Sequence, residues 1–136
     1  SSTPAIIDKN NFDQAQQQAK LLAEKLDYVG TMCIEYFIDE NNNLLLNEIA
    51  PRVHNSGHLT INTYNISQFE NHVRAVCDLE KIELKKNYNA EMINIIGEEI
   101  KTYRNKSYSR NQFFFDYLKT EIKEKRKMGH LTTIKS

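Results

Sequence analysis

The densest group of chemically capable side chains lies at residues 47–58, in the string Asn-Glu-Ile-Ala-Pro-Arg-Val-His-Asn-Ser-Gly-His. The string offers a carboxylate, a guanidinium, two imidazoles, two amides and a hydroxyl. It follows an apolar run at 44–46, and its Pro51 and Gly57 are expected to break any regular element. Polar side chains on a stiff loop after a buried strand are typical of a binding or catalytic surface.

The elements that must position this string begin with a predicted β-hairpin. Residues 31–38 and 44–49 are both rich in β-forming side chains, and the residues between them favour a turn. A four-residue loop over 40–43 would pair Asp39 with Leu44. Both strands would then have one fixed register.

This register places Glu35 directly opposite Glu48, on the same face of the hairpin and with Cβ atoms about 5 Å apart. The two carboxylates would repel each other, and burying them uncompensated costs on the order of several kcal/mol each. A shared proton, an Arg or Lys, or a divalent cation would neutralise them. Paired oxygens around a cation that also holds phosphates are a familiar Mg²⁺ arrangement. An exposed sheet face is an equally good interpretation.

Other chemistry is disfavoured within the string. His54 and His58 are four residues apart, but Pro51 and Gly57 argue against the continuous helix that a zinc pair would need. The 4 glycines of the chain form no phosphate loop of the Walker or Rossmann type. A triad based on Ser56 would need a base that the spacing does not supply.

The remaining polar residues of the string suit anion binding. Arg52 offers a fork of donors that matches a carboxylate or a phosphate. Asn55 and the two histidines offer neutral donors.

Two helices are predicted in the first part of the chain. The first has its apolar face at helical spacing and a cap at Asn10, Asn11 or Asp13; the face comprises Phe12, Ala15, Ala19, Leu22 and Leu26. The second opens with a capping box at residues 67–70 and runs to about Leu79, with His72 on its solvent side. Its apolar stripe comprises Phe69, Val73, Val76 and Cys77.

Strands dominate the second part of the chain. Residues 92–96, 112–118 and 131–134 are predicted to be strands, as is an edge strand at 5–7, while 98–110 has no clear pattern. The irregular, charged segment 80–89 is a plausible boundary. We therefore predict an α+β fold with two units, residues 1–80 and residues 81–136.

Composition narrows the class of protein. The chain has 136 residues and balances 18 Lys and Arg against 18 Asp and Glu, which disfavours nucleic acid and anionic membranes as partners. Five basic residues at 119–127 are interleaved with acids and indicate a solvated loop. Cys33 and Cys77 lie in apolar patterns and predict buried thiols and a cytoplasmic location. The start lacks Met and suggests a cut or processed boundary.

The chain resembles 5-(carboxyamino)imidazole ribonucleotide synthase at four places: Glu35, the string at 47–58, residues 67–70 and the Arg-Lys-Met-Gly-His of 126–130. This family of ATP-grasp ligases works in purine biosynthesis. The order and spacing of these residues agree over nearly the whole chain, which corresponds to the C-terminal portion of the family. The resemblance implies the end of an ATP-grasp domain (helix, β-hairpin, helix) followed by a small β-rich domain.

The resemblance also implies a reaction and a set of site residues. ATP, bicarbonate and 5-aminoimidazole ribonucleotide would give the N-carboxylated ribonucleotide, ADP and phosphate. Glu35 and Glu48 would hold Mg²⁺, and Asn47 would join Glu48 at the nucleotide. Arg52, His54 and Lys127 are expected to be catalytic, and with Asn55 they would face bicarbonate or the ribonucleotide.

The partial match limits what this chain would do alone. The N-terminal half that would complete the nucleotide site is absent from these residues, so we expect an isolated chain to be inactive and the intact enzyme to be a homodimer. Leu118 stands where the family often has glycine, which predicts a displaced Lys119. Two alternatives stay open: a ligase like formate-dependent glycinamide ribonucleotide transformylase, and a non-catalytic binding or assembly module.

Overall fold

The structure, a computed structural model that describes residues 1–135, contains both helices and β-strands. In chain order the elements are β1 (Ser2–Thr3), α1 (Lys9–Lys25), β2 (Cys33–Ile38), β3 (Leu44–Ala50), a 3₁₀-helix (Asn55–Leu59), α2 (Thr60–Thr63), α3 (Gln68–Val76), β4 (Asn89–Ile96), α4 (Glu99–Arg104), β5 (Gln112–Asp116) and β6 (Lys127–Lys135). An antiparallel sheet has the strand order β1-β4-β6-β5, and β2 and β3 form a separate hairpin. The predicted α+β class is confirmed.

Helix α1 starts where the chain turns back onto the hairpin loop. Its N-cap is Asp8, whose Oδ1 accepts the N–H of Asn11 at 2.9 Å. The predicted caps, Asn10, Asn11 and Asp13, were therefore wrong. The Asn11 side chain is fully buried, and its Nδ2 donates to Asn42 Oδ1 at 2.8 Å. This hydrogen bond ties the start of the helix to the hairpin loop.

The predicted register of the hairpin was wrong beside its loop. Ile38 pairs with Leu44, where Asp39 was expected to pair, so the loop comprises the five residues 39–43. Asp39 closes this loop instead, because its Oδ1 accepts the N–H of Asn43 at 2.7 Å.

Farther from the loop, the predicted pairing of Glu35 with Glu48 is confirmed. The register shifts between Glu35 and Tyr36, since Tyr36 pairs with Leu46 and leaves Asn47 as an extra residue in β3. This β-bulge compensates for the loop residue that the sequence reasoning missed. The longer loop shifts the pairing by one residue and the bulge shifts it back, so Glu35 still pairs with Glu48.

The four-stranded sheet contains the main core. The strand predicted at residues 5–7 was wrong: Ile6 is fully exposed, and the two residues of β1 pair with β4 instead. Helix α4 was missed within residues 98–110, and it packs on the sheet through the fully buried Ile100. The buried cluster comprises Ile95, Ile100, Met128 and Leu131.

Helix α3 faces the opposite way from the prediction. Ser67 caps it and accepts the N–H of Glu70, as the capping box predicted. Val73 is 52% exposed, however, whereas His72 is half-buried and its Nδ1 accepts the N–H of Thr31 at 3.0 Å. Three residues of the apolar stripe thus lie on the outer face of α3: Val73, Val76 and Cys77.

Two further predictions concern the burial of the cysteines and the division of the chain into two units. Cys77 is exposed, which contradicts the buried thiol predicted there, whereas Cys33 is half-buried. Among residues 1–135, no helix is long and apolar enough to cross a membrane. The division at residue 80 stays a prediction; β1, from the start of the chain, pairs with β4 of the second part.

Candidate functional site

The β-bulge at Asn47 gathers polar side chains on one face of the hairpin. Asn47 Nδ2 lies 3.5 Å from Glu35 Oε2, and Glu48 is the cross-strand neighbour of Glu35. An extra residue at a bulge re-aims the side chains around it, so the amide and both carboxylates share this face. Three oxygen-bearing groups therefore meet at one point of a short hairpin.

His54 lies beside this carboxylate pair. Its Nδ1 is 3.4 Å from Glu35 Oε1, and its Nε2 is 3.9 Å from Glu48 Oε1. Only 14% of its side chain is exposed, against 36% for Glu35 and 49% for Glu48. The imidazole therefore lies on the buried side of the two carboxylates.

Cys33 and Ser56 extend the cluster behind His54. Ser56 Oγ lies 2.9 Å from His54 Nδ1 and 3.5 Å from Cys33 Sγ. Burial raises the pKa of the Cys33 thiol, and the Glu35 and Glu48 charges raise it further. Cys33 is therefore protonated at neutral pH.

The loop that carries His54 is held by Gln68, the first residue of α3. Its Oε1 accepts the His54 N–H at 2.9 Å, and its Nε2 donates to the His54 carbonyl and to His58 Nδ1, both at 2.8 Å. The side chain therefore uses its acceptor and both of its donors. Gln68 is 7% exposed, so these bonds are sheltered from water.

Gly57 is a site of close approach, and the prediction that it breaks regular structure was wrong. A 3₁₀-helix runs through it and continues into α2. A Cβ at Gly57 would lie 2.3 Å from Gln68 Oε1, so a side chain would displace the Gln68 amide.

A second polar network joins this loop to the C-terminal sheet. Lys127 Nζ donates to Asn55 Oδ1 at 3.3 Å, and Asn55 Nδ2 donates to Asn94 Oδ1 at 2.8 Å. The Asn55 amide also lies 3.5 Å from the Tyr117 hydroxyl, which is hydrogen-bonded to His130 Nδ1 at 2.9 Å. Lys127 and Asn55, predicted to act together, are thus in contact.

An aromatic cavity of about 600 Å³ opens beside this network. The His130 ring stacks on Phe115 at 5.4 Å with an interplanar angle of 3°, and the His58 ring stacks on Phe69 at 5.5 Å. Its lining comprises His58, Ile61, Ser67, Phe69, Phe115, Tyr117 and His130. A cavity of this shape suits a flat ring with a few polar edges.

The histidines of this cavity are neutral at pH 7. Burial lowers the pKa of His58, and the neighbouring His54 and Lys127 lower it further. Burial, with His58 as the second cause, lowers the pKa of His130 to about 4. Each ring can therefore both donate and accept a hydrogen bond.

Two cationic side chains stand at the margin of the site. Arg52 is exposed and donates from Nη1 to the Val53 carbonyl at 2.9 Å, outside the network around Asn55. Leu118 adopts φ +52°, a conformation that favours glycine. The turn before Lys119 therefore has this backbone conformation although its residue is leucine. Lys119 Nζ then donates to the Lys127 carbonyl at 2.7 Å.

Sequence reasoning missed four residues of the site. Gln68 was seen only as part of a capping box and of the resemblance, Asn94 and Tyr117 only as residues of predicted strands, and His130 only as the last residue of the string 126–130 that carries the resemblance. A buried polar residue inside an apolar strand was the available signal for His130, which is 1% exposed. The reach of the Gln68 side chain across to the loop has no sequence signature.

Comparisons with known proteins give two family matches. The ATP-grasp domain matches residues 1–69, just over half of the 136 residues, and the phosphoribosylaminoimidazole carboxylase C-terminal domain matches residues 90–136. The chain is 41% identical to the N5-carboxyaminoimidazole ribonucleotide synthase of Bacillus subtilis (strain 168). That alignment covers 99% of this chain and 36% of the relative.

Solved structures give the same result. N5-carboxyaminoimidazole synthetase from Staphylococcus aureus complexed with ADP is 36% identical with a TM-score of 0.89, over 99% of this chain and 37% of that one. The Aspergillus clavatus synthase in complex with ADP and 5-aminoimidazole ribonucleotide is 32% identical with a TM-score of 0.87, over 98% of this chain and 38% of that one. The family resemblance is confirmed, and the chain spans just over a third of the length of these relatives.

Replacing Gln68 by Ala should loosen the His54 loop. The change leaves the sheltered N–H and carbonyl of His54 without their partner, so we expect the free energy of unfolding to fall by about 2–4 kcal/mol. Urea denaturation followed by circular dichroism measures this. Gln17→Ala, at an exposed glutamine of α1, is the matched control and should change stability by no more than about 0.5 kcal/mol. Equal effects of the two variants would contradict the assigned role.

The lowered pKa of His130 predicts loss of stability in acid. The unfolded chain binds this proton near pH 6.5 and the folded chain only near 4, so stability is complete above pH 6.5 and falls as the pH drops toward 4. We expect a loss of about 2 kcal/mol between pH 7 and pH 5 in urea titrations. His130→Asn keeps a partner for Tyr117 and should lose that part of the slope. An unchanged slope in the variant would refute the assignment.

Proposed function

Because the chain belongs to the ATP-grasp family, we propose that it forms the C-terminal part of an ATP-dependent carbon–nitrogen ligase. This ligase carboxylates 5-aminoimidazole ribonucleotide with bicarbonate in purine biosynthesis. One observation carries the proposal. The loop after β3 has the acidic group on one side, and on its other side it has the Lys127–Asn55 hydrogen bond and the aromatic cavity. Such a loop can serve a metal-bound nucleotide and a ribonucleotide together.

The acidic group suits Mg²⁺ at the nucleotide end. Glu35, Glu48 and Asn47 offer carboxylate and amide oxygens, the hard donors that Mg²⁺ prefers. Both carboxylates are partly exposed, which leaves room for phosphate oxygens and water. When bound, the ion would neutralise phosphate charge and also the repulsion between Glu35 and Glu48. We assign these three residues to Mg²⁺ and ATP.

The opposite side of the loop suits the second substrate. The aromatic cavity of about 600 Å³ is large enough for a small nucleotide and can stack an imidazole ring. Lys127 supplies a fixed positive charge at its edge, and Asn55 holds that ammonium at 3.3 Å. His54 lies beside the acidic group, and Arg52 is two residues before it on the same loop. We assign both to bicarbonate and to charge that develops during its activation.

The proposed chemistry requires more residues than this chain has. The chain spans just over a third of its relatives, and the family match that begins at residue 1 is to an ATP-grasp domain. We therefore propose that a longer N-terminal portion completes the nucleotide site, and that the 136 residues alone do not turn over ATP. The relatives in Bacillus subtilis and Brucella melitensis are synthases, which favours the synthase over the transformylase alternative. A non-catalytic module would bind ligands without product in the assay below.

Glu48→Gln tests the nucleotide end in the complete protein that the gene encodes. The change keeps the shape of the side chain but removes one of two facing charges, so turnover of Mg-ATP should fall about 100-fold or more. The readout is ADP release coupled to carboxylation of 5-aminoimidazole ribonucleotide at several Mg²⁺ concentrations. Glu40→Gln, in the exposed hairpin loop, is the matched control and should leave kcat unchanged. Near-normal turnover in Glu48→Gln would remove the metal assignment.

Lys127→Met tests the substrate end in the same assay. Loss of a charged donor worth about 1.5–3 kcal/mol should raise the KM for bicarbonate or the ribonucleotide about 10- to 100-fold, with a smaller effect on the KM for ATP. Lys125→Met, an exposed lysine two residues away, is the control. If both variants behave like the parent protein, Lys127 contributes only surface charge.

A further inference from the structure

Three side chains with different metal-binding atoms converge behind the acidic group. Cys33 Sγ, a Glu35 carboxylate oxygen and a ring nitrogen of His54 all lie within 4.8 Å of one another, and all three residues are half-buried. Cys33 and Glu35 are two residues apart on β2, so they point to the same face of the hairpin. His54 reaches them from the loop after β3.

We propose that Cys33, Glu35 and His54 form a binding site for zinc, with the fourth coordination position open. Thiolate, imidazole and carboxylate together are typical zinc ligands, whereas Mg²⁺ selects oxygen donors alone. The Cys33 thiol would release its proton to solvent as zinc binds. Three protein ligands with one open position are typical of zinc sites that admit water or an exchangeable ligand. The site is thus distinct in ligand type from the Glu35–Glu48 pair.

The surroundings already fix the ligands near the required positions. Ser56 Oγ sits between two of them, 2.9 Å from His54 Nδ1 and 3.5 Å from Cys33 Sγ. Ligands about 2.0–2.3 Å from a tetrahedral zinc lie about 3.5 Å apart, so small side-chain rotations suffice to close the site. The Gln68 hydrogen bonds hold the His54 backbone while these rotations occur.

The second nitrogen of the imidazole has a carboxylate nearby, which a small side-chain rotation would bring within hydrogen-bond distance. Glu48 Oε1 lies 3.9 Å from His54 Nε2, on the side away from Ser56. A carboxylate beside the free ring nitrogen is a common companion of zinc-binding histidines, because it orients the ring and increases its basicity. Glu48 would therefore support zinc indirectly.

A regulatory consequence follows, and it rests on the proposed function. Glu35 belongs to both ligand sets, so a zinc ion at this site would remove one carboxylate from Mg²⁺ and inhibit ATP turnover. The binding of zinc itself does not depend on that function, since Cys33 has no part in the proposed reaction.

Cobalt spectroscopy tests the site in the complete protein that the gene encodes, without nucleotide. Co²⁺ replaces zinc and gives a thiolate-to-metal absorption band when a cysteine binds it. We expect one Co²⁺ per chain with this band, and loss of the band when one equivalent of Zn²⁺ is added. A parent chain without the band would overturn the proposal.

Three variants identify the ligands. Cys33→Ser should abolish the band, whereas Cys77→Ser, at the exposed second cysteine, should retain it fully. Glu35→Gln should keep the band but weaken Co²⁺ binding about tenfold or more. A band that survives in Cys33→Ser, or disappears in Cys77→Ser, would refute the assignment. Because the readout needs no ATP, failure here leaves the ligase proposal intact, and a failed ligase assay leaves the cobalt result interpretable.

Discussion

One extra residue in β3 determines the arrangement of the polar site. The bulge at Asn47 sets the register that pairs Glu35 with Glu48 and brings the Asn47 amide to the same carboxylates. A shift of one residue would send Glu48 to the face that packs toward α1. The hairpin thereby accepts electrostatic repulsion between two carboxylates, which the adjacent His54 and a bound cation can offset.

The Gln68 side chain gives the loop after β3 its second constraint. It links His54 to the start of α3, and through His58 it reaches the aromatic cavity, so one buried amide touches both ends of the site. Gly57 is required for the same reason, because any side chain there would collide with this amide. On the other side, Asn55 attaches the loop to Asn94 and Lys127 of the four-stranded sheet. The loop is therefore fixed by side-chain hydrogen bonds on both flanks.

The sequence predicted the Glu35–Glu48 pair correctly, but by a register that was wrong at the loop end. Turn propensity does not distinguish a four-residue loop from a five-residue loop with a compensating bulge, because both satisfy the same hydrophobic pattern. The glycine at 57 was misread because its role is long-range contact and not local flexibility. His72 was placed in solvent because periodicity finds the apolar stripe of a helix but does not say which surface covers it. Long-range contacts of this kind leave no local signal.

The two sides of the site differ in how well the rest of this chain supports them. The proposed substrate end lies against the four-stranded sheet, whose core includes the fully buried Ile95 and Met128. The proposed nucleotide end lies on a two-stranded hairpin, a unit that is marginal alone. The same face of the hairpin continues into Phe37 and Leu45, which are 62% and 49% exposed. Exposed apolar side chains beside a polar site are typical of a surface that another part of the protein covers. The asymmetry fits the proposal that a further N-terminal portion covers the hairpin and completes the nucleotide site, while the proposed ribonucleotide site lies within this chain.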